Sequence, residues 1–221
     1  MSADLGCAST RFEKPVLTGK FLSPFVRRVA VTLNHFDIAF DRQVLSAIHD
    51  VADMERSNPI GRVPALILAS GETLIDSAAI LDHLDEQVGR ERALVPGEGP
   101  TRRRTLYLLA LICGTIERAM TANAERRRPE SQRDDARLAR LLRQTGQGFE
   151  ALERELARRS SHATPWFQGE RMLQADLTTA VGQTFVDHIF PELLPKSKLP
   201  NLSALTAICE ALPAFQSAKI D

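Results

Sequence analysis

Short apolar runs and helical stripes alternate through the first ninety residues or so, and helical stripes alone follow. Residues 1–13 are small and polar and read as a tail. Pro15-Val16-Leu17-Thr18-Gly19 is short and apolar and predicts a strand. Ser23-Pro24 then opens a segment with Phe25, Val29, Ala30 and Leu33 on one face, which is helical spacing. Ala39 to Leu45 alternates as a second strand. His49 to Ser57 is polar and predicts a short helix or irregular chain. Asn58-Pro59-Ile60-Gly61 is a turn signal. Ala65-Leu66-Ile67-Leu68 and Thr73-Leu74-Ile75 flank Ser70-Gly71 as a hairpin would. Ile80, Leu81, Leu84 and Val88 share one face of a helix over Ser77 to Val88.

Pro96, Gly97, Gly99 and Pro100 break this series, which sets a linker at 89–100 between a first domain, 14–88, and a second, 101–221. The second domain carries four stripes. They are Leu106, Leu109, Cys113, Ile116 and Met120; Leu138, Leu141, Thr145, Phe149, Leu152 and Leu156; Leu177, Val181, Thr184 and Phe185, with His188; and Leu202, Leu205, Ile208 and Leu212. Cys113 thereby takes a core position. A mixed α/β domain followed by an all-α helical bundle is the economical architecture.

Composition narrows the function classes. A chain of 221 residues holds two small domains, and 28 Lys and Arg balance 28 Asp and Glu. That balance excludes a general nucleic-acid binder, which would be strongly basic. Cys7, Cys113 and Cys209 are far apart and form no CxxC, so neither a disulfide framework nor a zinc site is expected. His83 and His188 lack a second ligand at metal spacing, so no metal is expected. The first residues have no apolar core of a secretory signal. No apolar run approaches the roughly 18 residues of a membrane span. The expectation is a cytoplasmic protein with no membrane partner. Arg102-Arg103-Arg104 and Arg126-Arg127-Arg128 read as solvated helix ends.

Three places can carry chemistry. Ser23 before Pro24 is a good N-cap followed by a good first helical residue. The same helix start favours an anion through its N–H groups and dipole, and a hydroxyl there can donate to a bound thiolate and lower its pKa. Both readings share one geometry. Val63-Pro64 enters a strand, where proline cannot donate to the ladder. A cis bond there would expose the N–H and C=O of Val63 to a peptide-like ligand, and a trans bond would not. Ser77 is a plain N-cap of its helix or, equally, a holder of a ligand carboxylate, with Asp76 facing a ligand ammonium group.

Together the three segments resemble the glutathione transferase family, over nearly the whole chain from about Val16. Ser23-Pro24-Phe25-Val26-Arg27-Arg28-Val29 looks like the active-site helix of the serine-using, tau- and zeta-like members. Asn58-Pro59 through Val63-Pro64-Ala65-Leu66 matches the family's cis-proline stretch. Asp76-Ser77-Ala78-Ala79-Ile80 matches its Glu/Asp-Ser motif. The resemblance implies a thioredoxin-like first domain and a helical second domain. It makes Ser23 the stabiliser of the glutathione thiolate, with Phe25 beside it in the binding site. It gives Val63, ahead of Pro64, the cysteinyl backbone, Ser77 the γ-glutamyl carboxylate and Asp76 the amino group. His49 and Arg62 are the nearest candidates for the glycyl carboxylate. Tyr107 would border the pocket, between the domains, for a small hydrophobic electrophile. Glutathione is then the cosubstrate, no metal is needed, and a homodimer is implied. The only tyrosine is Tyr107, and the first domain has no cysteine after Cys7, so tyrosine and cysteine versions of the site are missing here. The same scaffold would also serve a glutathione-dependent isomerase, dehalogenase or peroxidase, or a non-catalytic binding module. One departure concerns Ala175-Asp176-Leu177-Thr178. The family places Ser or Thr three residues before the Asp, as a capping box, and here Leu173 stands at the cap.

Overall fold

The computed structural model describes residues 13–45, 50–159 and 164–221. The described chain divides into two compact units, one running to Leu84 and including Ile220–Asp221, the other Asp85–Lys219.

The first unit is a four-stranded sheet with helices, in the thioredoxin-like order of elements. Strands β1 (Val16–Thr18), β2 (Asp41–Gln43), β3 (Ala65–Ile67) and β4 (Thr73–Ile75) lie in the order β2-β1-β3-β4. β1 pairs parallel with β2 and antiparallel with β3, and β3 pairs antiparallel with β4. Helices α1 (Pro24–His35), α2 (Val51–Ser57) and α3 (Ser77–Val88) complete it. The division between the units falls inside α3. Leu17, Leu66, Val26, Val29, Ala30, Leu33 and Ile80 are wholly buried, and each fully buried large aliphatic side chain stabilises the fold by about 1.5–3 kcal/mol. Phe25 is not on that face; it is half-buried, with the Arg28 guanidinium 5.5 Å from its ring. The second strand is shorter than its pattern: Asp37, at a left-handed φ of 58°, and Ile38, whose N–H returns to Leu33 O at 2.9 Å, close α1, and pairing with β1 runs only from Asp41 to Gln43. The β3–β4 turn closes with Leu68 N–H on Glu72 O at 2.7 Å and Gly71 N–H on Leu68 O at 2.9 Å.

The second unit is helical: α4 (Gly99–Arg126), α5 (Asp135–Ala157), α6 (Gln174–Ile189), α7 (Pro200–Ala211) and α8 (Pro213–Gln216), with single 3-10 turns at Glu130–Gln132 and Lys196–Lys198. α6 is buried nearly all round and packs on α4 and α7, while α4 packs on α5. The inward face of α4 is Leu108, Ile112, Thr115, Ile116 and Ala119 rather than the stripe drawn from Leu106. Cys113 is therefore only partly buried and not a core residue, and Leu106 is 43% exposed. The reason is close approach. A Cβ on Gly148 of α5 would lie 2.8 Å from Thr115 Cγ2, and one on Gly182 of α6 would lie 2.9 Å from Ile112 and Ile116. Partner helices settle where their own side chains vanish, and that selects the face of α4. α4 is long and apolar enough to cross a membrane by length and composition, so the expectation that no stretch approaches a span is corrected. Its packing on α5 and α6 makes it a core helix of this unit.

Polar groups tie the helix ends. Glu153 of α5 accepts from Asn201 N–H at 3.1 Å and Leu202 N–H at 2.9 Å, capping α7 from a distance. Buried Glu125 accepts from Asp134 N–H at 2.9 Å and pairs with Arg128 and Arg137. Arg126 lies 4.3 Å from the Phe190 ring centroid. These arginines are thus engaged by neighbours and not simply solvated. At α6, Leu173 offers no side-chain acceptor. Asp176 supplies the other half of the motif: its two oxygens accept from Leu173 N–H and from Phe167 N–H, each at 2.7 Å.

Candidate functional site

Strand register sets the site. β1 against β3 places Val16 opposite Ile67 and Leu17 opposite Leu66, and β3 against β4 places Ala65 opposite Ile75. The end of β1, the start of β3 and the end of β4 therefore meet at one end of the sheet. Three connections converge there: Gly19–Ser23 before α1, Asn58–Pro64 before β3, and Asp76 before α3. They are the three segments singled out in the sequence, brought together by antiparallel pairing.

Side chains fix them to one another. The buried Thr18 hydroxyl accepts from Ala65 N–H at 2.9 Å and donates to Ala65 O at 3.2 Å. Gly19 has a φ of 113°, and a Cβ there would lie 2.7 Å from Val26 Cγ2 and 3.0 Å from Val63 Cβ. Only glycine allows the β1–α1 connection to lie this close to Val63. The Val63-Pro64 bond is cis. Pro64 is buried and Val63 half-buried. Asn58, 2% exposed, organises the turn before them: Nδ2 donates to Arg62 O at 2.8 Å and Oδ1 accepts from Ile60 N–H at 3.2 Å.

Ser23 sits at the N-cap of α1, half-buried, with extended φ −69° and ψ 119°. Its N–H donates to Lys20 O at 3.0 Å and its C=O accepts from Arg27 N–H at 2.8 Å. Its Oγ accepts from Val26 N–H only at 3.5 Å, longer than a good N–H···O bond. The hydroxyl is loosely committed to capping. The first turn of α1 holds no acidic residue, so no carboxylate of its own first turn answers its N–H groups and dipole.

At α3 the expected cap changes residue. Ser77 is the first helical residue and is 3% exposed, whereas Asp76 is the cap: its Oδ1 accepts from Ala78 N–H at 2.7 Å. Asp76 holds φ at 68°, a left-handed backbone that costs most residues about 1–2 kcal/mol and that Asp and Asn tolerate best. Such a conformation is a recurrent mark of functional loops. The Arg62 side chain is exposed. Tyr107 lies on α4 in the second unit, 50% exposed, with the Arg104 guanidinium 5.5 Å from its ring. His49 lies outside the described residues. Among the described residues no group of three His, Cys, Asp or Glu could hold a metal ion.

The sequence assigned no individual role at the site to four residues. Thr18 and Asn58 hold the loops, and Gly19 lets them approach; its place at a strand–helix junction was the available signal. The fourth is Asp221, 200 residues from its partner, whose Oδ1 accepts from Phe21 N–H at 2.8 Å. Its Oδ2 meets Arg42 Nη2 at 2.5 Å, and the Arg42 guanidinium stacks 3.5 Å from the Phe21 ring centroid. Burial alone would push the Asp221 carboxyl up; the hydrogen bond and charge of Arg42, with the Phe21 N–H, outweigh it and hold the group below the ordinary carboxylate range.

Known proteins are similar to this chain in sequence and fold. The family model described as glutathione S-transferase, N-terminal domain, matches residues 17–92. The chain is 27% identical over 139 residues to the GST-like protein YibF of Escherichia coli K12, covering 62% of this chain and 67% of that one. It is 26% identical over 193 residues to glutathione S-transferase Z2 of Arabidopsis thaliana, covering 86% and 83%. A glutathione S-transferase from Methylobacillus flagellatus KT, crystallised with glutathione bound, superposes with a TM-score of 0.86 at 25% identity, covering 94% of this chain and 100% of that one. The three converging loops lie inside the matched N-terminal domain, and over nearly its whole length the chain is similar to glutathione S-transferases.

Proposed function

We propose that this protein binds glutathione across the end of its sheet, lowers the pKa of the bound thiol, and catalyses attack of the thiolate on a small hydrophobic electrophile. The observation that carries the reading is the convergence of Ser23, cis Val63-Pro64 and Ser77 on one end of the sheet, with an α1 N-terminus free of carboxylates in its first turn. Ser23 Oγ–H donates to the thiolate and the helix start favours its charge. A free thiol titrates near pH 8.5, so each unit of depression gives up to tenfold more thiolate at neutral pH. The Val63 backbone pairs with the cysteinyl residue of glutathione, Ser77 meets the γ-glutamyl carboxylate, and Asp76 its amino group. Phe25 lies beside the thiol. Arg62 and His49 are candidates for the glycyl carboxylate, and Tyr107 for contact with the acceptor.

With an aryl halide the sulfur lone pair forms the S–C bond, the C–halogen bond breaks, and halide leaves with the bonding pair. The thiol proton has already gone to solvent. No covalent enzyme intermediate is required. A homodimer in the cytoplasm is the expected working form.

Titration calorimetry with glutathione and a conjugation assay with a generic aryl halide test this reading. Binding at millimolar affinity or better is expected, with turnover that falls about 10²-fold or more in Ser23→Ala, the loss typical of one oxyanion-type donor. Wild-type turnover in Ser23→Ala would sink the role given to Ser23. Failure to bind glutathione would overturn the function, while binding without turnover on any electrophile, peroxide or disulfide would favour a binding module.

A further inference from the structure

The Gly19–Ser23 connection is held at its start by the sheet, since Gly19 N–H donates to Gln43 O at 2.8 Å. Its middle is held by Asp221, which takes the Phe21 N–H at 2.8 Å. Between Phe21 and Ser23 the chain turns tightly, with Ser23 N–H on Lys20 O at 3.0 Å. Fixing Phe21 therefore fixes the turn that presents Ser23. The Asp221 carboxylate is itself oriented by Arg42 through the 2.5 Å contact, and Arg42 is packed on the Phe21 ring. Arg42 Nη2 also reaches Gly19 O at 3.5 Å, so one guanidinium touches the loop at two residues. Phe21 is only 6% exposed under this arrangement. The cluster closes on itself: ring, cation, carboxylate and backbone N–H each hold the next.

We propose that Asp221, with Arg42, is a positioning residue of the thiol-activating site, clamping the Phe21 backbone so that the Ser23 hydroxyl is presented in one place. The proposal rests on the reading of Ser23 given above. A partly exposed ion pair contributes little to global stability, and here the side chains are 25% and 39% exposed. Its effect falls on the loop: without the clamp the turn samples displaced positions, and displacement of a donor by about 1 Å can cost on the order of a hundredfold in rate. Asp221 touches no reacting atom and acts through Phe21.

Two measurements on the full chain test the clamp, using Asp221→Ala, Asp221→Asn and, as reference, Ser23→Ala. The first is hydrogen–deuterium exchange of peptides covering residues 19–25, read without any ligand. Faster exchange is expected there in Asp221→Ala, with the rest of the sheet unchanged. Asp221→Asn, which keeps an acceptor for Phe21 N–H, should recover part of the protection. Wild-type exchange in Asp221→Ala would overturn the clamp. The second is the ionisation of bound glutathione, followed by thiolate absorbance and by the pH profile of kcat/KM with an aryl halide. Asp221→Ala should raise the apparent thiol pKa by about half to one unit, with a three- to tenfold loss of kcat/KM below it. KM for glutathione should change little. If Ser23→Ala raises the thiol pKa and Asp221→Ala does not, the positioning role is refuted and the reading of Ser23 stands. If neither raises it, the reading of Ser23 fails, and the positioning role fails with it.

Discussion

Asp176→Ala is the perturbation whose size follows most directly from the structure. Asp176 is fully buried and satisfies two main-chain donors, Phe167 N–H and Leu173 N–H, both at 2.7 Å. Removing the carboxyl strands both N–H groups away from water. Each stranded donor costs about 1–3 kcal/mol. Part of that is offset, because burial pushes the Asp176 carboxyl up to about 7, which means the folded state disfavours its charge. A net loss of about 2–4 kcal/mol is expected, and a drop in Tm of roughly 5–15 °C at 2–4 °C per kcal/mol for a protein of this size. Asp176→Asn keeps one acceptor and turns an amide N–H₂ towards the other donor, so it should fall between wild type and alanine. The pH dependence has a definite sign. Between the ordinary value of 3.8 and about 7 the native state keeps a proton that the unfolded state has released. The contribution of Asp176 to stability therefore declines as pH rises through that window and is level above it. The gap between wild type and Asp176→Ala should narrow from pH 4.5 to pH 7.5, a window set by that shift. Thermal unfolding by circular dichroism, with glutathione binding measured below the transition, reads all of this. An Asp176→Ala protein that melts within about 2 °C of wild type would refute the reasoning, since both N–H groups would then have other partners.

Other outcomes follow from single contacts. Gly19→Ala forces a Cβ to 2.7 Å from Val26 Cγ2 at a φ of 113°, so it should lose about 1–3 kcal/mol and weaken glutathione binding; a variant that binds and melts as wild type would contradict the close approach. Cys209 is wholly buried, and burial, with Asp176 and Glu210 nearby, pushes its thiol up. It should resist a thiol reagent in the native protein and react on unfolding, as peptide mapping would show; rapid native labelling of Cys209 would contradict it.

How much of this was legible in the sequence depends on the distance over which each signal acts. The elements of the first unit were readable because Ser23-Pro24, Asn58-Pro59-Ile60-Gly61 and Ser70-Gly71 punctuate them with local turn and cap chemistry. The second strand was overread, since Ala39 and Phe40 alternate correctly but pairing with β1 runs only from Asp41 to Gln43. In the second unit the helices were plain and their faces were not. The choice of Leu108 over Leu106, and the partial exposure of Cys113, depend on Gly148 and Gly182 far along the chain. At the site, the three segments were visible as motifs, but the cap at α3 went to Asp76 because its side chain reaches Ala78 N–H from a left-handed backbone. The Phe21–Asp221 contact spans 200 residues, and no local pattern announces it.

The β3–β4 hairpin gives the sheet two ends with opposite tolerances. Ile75 is opposite Ala65 beside the converging loops, so the turn at Ala69, Ser70 and Gly71, past Ile67 and Thr73, lies at the far end and is exposed. That turn is where a fluorescent reporter or a surface tether can be spliced into the chain, at the opposite end of the sheet from the converging loops.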